Sequence, residues 1–151
     1  MIRPGAFFED FAVGDRWETG GYTFTEAEIV DFAFRYDPQP FHIDVEAAKA
    51  SIYGGLIASG FQTLSVCFRL VWQTAVLSNN MGGRGLDELR WPRAVRPGDT
   101  VHVVVEVLAA EPSSRADRGN LRLRYTGLNQ RGETVLEATL LHVVRRRPPA
   151  D

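Results

Sequence analysis

Residues 61–77 are almost continuously apolar, and most of the chain beyond them falls into short segments rich in Val, Leu and Thr. A sequence built this way must bury one helix against a sheet. Phe61, Leu64, Phe68, Val71 and Ala75 are spaced as one helix face, and Val66, Leu70 and Trp72 carry the apolar character to further sides. A helix of that kind is buried on most sides. Gln62, Arg69 and Gln73 interrupt the run, and it is shorter than the ~20 apolar residues of a bilayer span. It therefore reads as a core helix. Ser59-Gly60-Phe61-Gln62 opens it as a capping box. Its end is expected near Asn79-Asn80, with Gly82-Gly83 beyond.

The strands expected downstream cover residues 86–91, 101–109, 121–128 and 134–144. Arg96-Pro97-Gly98-Asp99 and Asn129-Gln130-Arg131-Gly132 supply turns between them. Upstream, residues 17–24 read as a strand with an irregularity at Gly20-Gly21. Thr25-Glu26-Ala27-Glu28 is a capping box for a short helix to about Phe34, and Asp44 caps another through Ala50. Strands joined by turn-length links form an antiparallel meander. The expected fold is α+β, a curved antiparallel sheet of about five strands wrapped around one long helix. At 151 residues the chain suits one domain, residues 1–151 with a core at about 8–144.

Composition removes several function classes. A net charge of -2 argues against nucleic acid or an anionic membrane surface as partner. Cys67 is the only cysteine and the three histidines are dispersed, so neither an internal disulfide nor a metal site is expected. No phosphate loop or dinucleotide fingerprint is present, so no bound cofactor is implied. The N-terminus lacks the apolar core of a signal peptide, and a cytoplasmic location is expected.

The chemistry concentrates in Asp37-Pro38-Gln39-Pro40-Phe41-His42. Proline fixes its own φ and pushes the preceding residue toward extended backbone. The segment reads as a stiff loop that is not helical, holding a carboxylate and an imidazole at a set separation. General acid–base catalysis needs such a pair fixed on the same substrate atoms. Judged by residue type alone, an Asp and a His in a proline-rich loop are more often structural or solvated.

The order and spacing of three motifs sharpen this. The chain resembles the MaoC-like dehydratases, also called (R)-specific enoyl-CoA hydratases, of hot-dog fold. Their pattern of Asp, any residue, Asn, Pro, an aliphatic residue and His stands here as Asp37-Pro38-Gln39-Pro40-Phe41-His42. The family's helix-opening glycine lies within Gly54-Gly55-Leu56-Ile57-Ala58-Ser59-Gly60. A third match is Leu89-Arg90-Trp91 leading to Val95-Arg96-Pro97-Gly98-Asp99. The chain departs from the pattern at Gln39 (family Asn), at Arg35-Tyr36 (often a small residue and glycine) and at Ser59 (often His).

The resemblance implies hydration of a (2E)-enoyl thioester to the (R)-3-hydroxyacyl thioester, or the reverse. Asp37 and His42 would activate water and handle the protons. The N–H of Gly60, unpaired at a helix start and aided by the helix dipole, would serve as oxyanion donor. Ser59, Gly55, Leu56, Ile57 and Phe61 are assigned to substrate binding, Ser59 being first of all an N-cap. Coenzyme A would arrive only as part of an acyl-CoA substrate. A homodimer or higher homo-oligomer is expected, because an edge strand of such a sheet invites pairing.

Two alternatives stand beside this reading. A thioesterase on the same fold usually has an acidic residue on or beside the long helix, and the first half of this helix has none. A non-catalytic acyl-thioester binding protein would keep the pocket without turnover. His102 and His142 read as structural. Arg90 and Arg96 are candidates for the phosphates of coenzyme A, with salt bridging or solvation favoured. Arg145-Arg146-Arg147 reads as a solvated tail.

Overall fold

The computed structural model describes residues 2–150, and the apolar run forms the helix α4, Gly60–Gln73, at its centre. The elements before it are β1 (Arg16–Glu18), β2 (Tyr22–Thr23), α1 (Glu26–Tyr36), α2 (Pro40–Ile43) and α3 (Val45–Ala50). After it come β3 (Asn80–Arg90), β4 (Thr100–Pro112), β5 (Arg118–Leu128) and β6 (Thr134–Arg145). The strands form one antiparallel sheet in the order β1-β4-β5-β6-β3, with β2 also paired to β4. This is the expected hot-dog arrangement, with six strands instead of about five. Residues 17–24 divide into two strands at the Gly20-Gly21 step.

β5 buries every second residue. Leu121, Leu123 and Tyr125 face the core, while Arg122 and Arg124 face outward. Cys67, Leu70 and Val71 of α4 join the same buried cluster with Val103 and Val105 of β4 and Leu136 of β6. Burying one such side chain contributes about 1.5–3 kcal/mol, so this helix–sheet contact is the main apolar support of the fold.

Four expectations need correction. α4 ends at Gln73, not near residue 79, because the Thr74 hydroxyl bonds to the Val71 carbonyl and Ala75 turns left-handed at φ 57. α4 is also not buried on most sides: its buried face carries Gln62, Thr63, Cys67, Leu70 and Val71, while Phe61 and Phe68 of the expected face are 57% and 39% exposed. β3 begins at Asn80 rather than 86. Its glycines suggest a turn locally, yet β6 pairs with the whole stretch through three register shifts. The terminal arginines are tied down: Arg146 bonds Glu9, and Arg147 binds both oxygens of Asp10.

His142 on β6 is buried, with Nε2 3.1 Å from the Tyr125 hydroxyl and Nδ1 3.0 Å from the Asn80 amide. Burial pushes its imidazole down to about 4. The folded chain thus refuses a proton that the unfolded chain binds below its ordinary value of about 6.5. Stability should fall as pH drops through that window, by about 3 kcal/mol at full extent. His142→Gln keeps polar atoms but does not titrate, so urea unfolding at pH 7 and pH 4.5 should show a flatter pH dependence. An equally steep loss in the variant would place the effect elsewhere.

Candidate active site

Thr25 starts α1, its hydroxyl accepting from the Glu28 N–H, and the helix delivers Asp37 as its C-cap. The loop reading of residues 37–42 fails in one respect: His42 lies in the short helix α2. Pro40 stands at the first turn of α2, where proline's missing N–H costs nothing and its φ is already helical. The two prolines thus bracket a tight connection between two helices rather than forbid one.

The strand-like segment 56–58 holds the other side. Ile57 N–H donates to the Phe41 carbonyl and Ala58 N–H to the Val95 carbonyl, so residues 56–58 are buried and bonded both ways. His42 Nδ1 lies 2.7 Å from the Ile57 carbonyl oxygen. A carbonyl can only accept, so Nδ1 carries a proton. Nε2 then faces Asp37 Oδ2 at 3.2 Å. Two lone pairs would repel at that distance, so the contact requires one proton between imidazole and carboxylate.

Asp37 has two further donors. Ser59 Oγ donates to Oδ2 and Gln39 Nε2 donates to Oδ1, each at 2.7 Å. Gln39, longer than the family's Asn, still reaches the carboxylate. Burial alone would raise the Asp37 carboxyl. The hydrogen bonds from Ser59 and Gln39 and the charge of His42 together outweigh it, holding the carboxyl below the usual carboxylate range. A carboxylate offers about four lone-pair sites. Oδ1 has only Gln39, so it retains room for a water.

Ser59 also caps α4, its hydroxyl accepting from the Phe61 N–H at 3.2 Å. The expected capping box does not form: the Ser59 hydroxyl takes the Phe61 N–H rather than that of Gln62, and the buried Gln62 Oε1 has no partner among the described residues. The Gly60 N–H has no acceptor among the described residues and adjoins the pocket. Trp91 packs directly on Gly60: a Cβ built there would stand 2.4–2.8 Å from the indole.

These groups line one cavity of about 290 Å³. Of the residues assigned from sequence, Asp37, His42, Gly60, Ile57 and Phe61 line it. Ser59 lies behind it as the link to Asp37. Gly55 and Leu56 do not line it. Leu56 is buried in the core, and Gly55 sits under the Arg96 guanidinium. The cavity adds Phe41, Tyr53, Thr63, Trp91 and Arg93, which were not assigned from sequence. Phe41 and Trp91 carry a signal, their places in the first and third motifs. Among the described residues no three His, Cys, Asp or Glu side chains converge as metal ligands, and no helix is long and apolar enough to cross a membrane.

The family model for the MaoC like domain matches residues 10–127. The crystal structure of the MaoC-like dehydratase from Rhodospirillum rubrum is 46% identical with a TM-score of 0.91, covering 96% of this chain and 100% of that one. The uncharacterized protein YdeM of Bacillus subtilis is 30% identical over 139 residues, 91% of this chain and 98% of its own. The mesaconyl-CoA hydratase of Cereibacter sphaeroides is 36% identical over 97% of this chain, which spans only 43% of that protein.

Proposed function

The chain belongs to the MaoC-like domain family, and from that premise we propose that it is a hydro-lyase acting on (2E)-enoyl-CoA thioesters to give (R)-3-hydroxyacyl-CoA, or the reverse. One observation carries the reading. Asp37 and His42 meet at 3.2 Å, and both line the cavity that the first residue of α4 also lines. The relative from Cereibacter sphaeroides, named for hydrating an enoyl-CoA, supports the same chemistry.

The geometry suggests how the protons travel. Water donates to Asp37 Oδ1 and gives up one proton as its oxygen bonds to the β-carbon. The electron pair of the double bond moves onto the thioester oxygen as an enolate, which accepts from the Gly60 N–H. His42 Nε2–H then protonates the α-carbon. The product gains OH and H, and the carboxyl is left protonated beside a neutral imidazole. Return of that proton from Oδ1 to Nε2 by way of water restores the starting state. The Ser59 hydroxyl and the Ile57 carbonyl hold the two groups in place. No resident cofactor enters this scheme.

The same reading makes the protein at least a dimer. β3 lies at one end of the sheet with its outer edge unpaired among the described residues, and Phe61, Phe68 and Trp91 are exposed nearby or on the central helix.

Crotonyl-CoA should lose its enoyl absorbance on addition of the protein, with (R)-3-hydroxybutyryl-CoA as product and no free thiol. Thiol release would mean a thioesterase. Binding without any absorbance change, on short and long enoyl chains alike, would mean a binding protein. Light scattering on the same sample should give at least twice the chain mass, and a monomer would retire the assembly reading.

A further inference from the structure

The cavity of the candidate active site has an open mouth and a closed floor. Phe61, Trp91 and Arg93 are exposed at the mouth, whereas Ile57, Thr63 and Val95 are buried at the floor. In the hydration proposed above, the thioester oxygen meets the Gly60 N–H and the double bond meets Asp37 and His42. The thiol carrier then leaves by the mouth, and the acyl tail points at the floor.

The floor has no exit along the helix. Gly60, Thr63 and Cys67 follow one face of α4 at spacings of three and four residues. The first two line the cavity and Cys67 does not. Cys67 is fully buried against the sheet: a Cβ built on Gly127 of β5 would stand 3.0 Å from its Sγ and 3.3 Å from the Leu136 Cβ. That gap holds a hydrogen and no more, so α4 rests on the β5 backbone one turn behind Thr63, with no channel for a chain between them. The wall opposite the helix is tied as well. The Ile57 N–H bonds the Phe41 carbonyl and the Ala58 N–H bonds the Val95 carbonyl, so this strap cannot move outward without breaking both bonds. The enclosed space is small. Its volume of about 290 Å³ lies just under the ~300–1,000 Å³ usual for small-molecule sites, and it must hold the attacking water and the thioester besides the tail.

We propose that the site takes short acyl groups, up to about six carbons, and that Thr63, backed by Cys67 on Gly127, sets the limit. The inference rests on the hydration reading and names its substrate class.

Hydration of crotonyl-, hexenoyl-, octenoyl- and decenoyl-CoA by wild type, Thr63→Ala and Thr63→Ile tests it, read as kcat/KM. A methylene that an apolar pocket accepts or refuses changes kcat/KM by about 10–200-fold. Wild type should therefore lose at least about tenfold between hexenoyl- and octenoyl-CoA. Thr63→Ala deepens the floor and should shrink that step. Thr63→Ile raises the floor and should depress hexenoyl-CoA at least about tenfold more than crotonyl-CoA. Where one variant does not fold, the other decides, with circular dichroism as the check. A variant that moves all four substrates alike removes Thr63 from the limit. Wild type that hydrates octenoyl- and decenoyl-CoA as well as crotonyl-CoA overturns the limit and leaves the hydration reading intact. If wild type hydrates none of the four, the hydration reading fails by itself, and calorimetry with butyryl-, hexanoyl- and octanoyl-CoA decides the limit. Affinity that collapses beyond hexanoyl-CoA supports it; affinity that rises with chain length, or absent binding, removes it.

Discussion

Asp37→Asn should cut kcat for enoyl-thioester hydration about a thousandfold, the middle of the range for loss of a general base. The amide has the same outline, can accept from Ser59 and can meet a flipped Gln39. What it lacks is the charge that receives the water proton and faces His42 at 3.2 Å. The chain should therefore still fold, as circular dichroism would record. A folded variant with activity within tenfold of wild type would remove Asp37 from the chemistry.

Gly60→Ala should also be severe, for a steric reason. The backbone at Gly60 is not left-handed, and alanine is the better helix former, so local propensity favours the change. The added methyl nevertheless falls 2.4 Å from the Trp91 ring, forcing the indole aside and standing beside the N–H assigned to the oxyanion. Overpacking of this kind costs about 1–3 kcal/mol. Blocking one oxyanion donor costs roughly a hundredfold or more in kcat. The double variant Gly60→Ala with Trp91→Ala separates the two effects. Melting temperature should recover toward that of Trp91→Ala alone, while activity stays low. If activity returns as well, the methyl harms only through Trp91, and the Gly60 N–H loses its assigned role.

The parts of the fold written in local chemistry were readable. The Thr25 and Ser59 caps and the alternation of β5 each depend on neighbours within a few residues, and each appears where expected, whereas the apolar spacing of α4 points to a face that the sheet does not cover. β3 was half missed because its glycines carry no strand preference; the pairing comes from β6, more than fifty residues away by sequence order. Pro40 looks locally like a barrier to helix, yet its position at the first turn makes it a starter. The site divides the same way. Asp37 and His42 stand close in sequence and could be named as a pair, whereas Tyr53, Trp91 and Arg93 reach the pocket only because 56–58 is strapped between Phe41 and Val95. Nothing within the local sequence of Arg93 distinguishes it from Arg90.

The double duty of Ser59 has a consequence for how this protein can change over time. One hydroxyl both orients the carboxylate and closes the first turn of α4. A replacement without a hydrogen-bonding side chain disturbs the acid and the helix in a single step, so drift at this position is confined to the few residue types that can satisfy both neighbours. The opposite wall has no such double bond to the scaffold. Tyr53 and Trp91 line the cavity and pack their rings against Phe41 and Phe61. Descendants of this chain are therefore free to acquire new acyl preferences from that wall while the proton-handling side stays fixed.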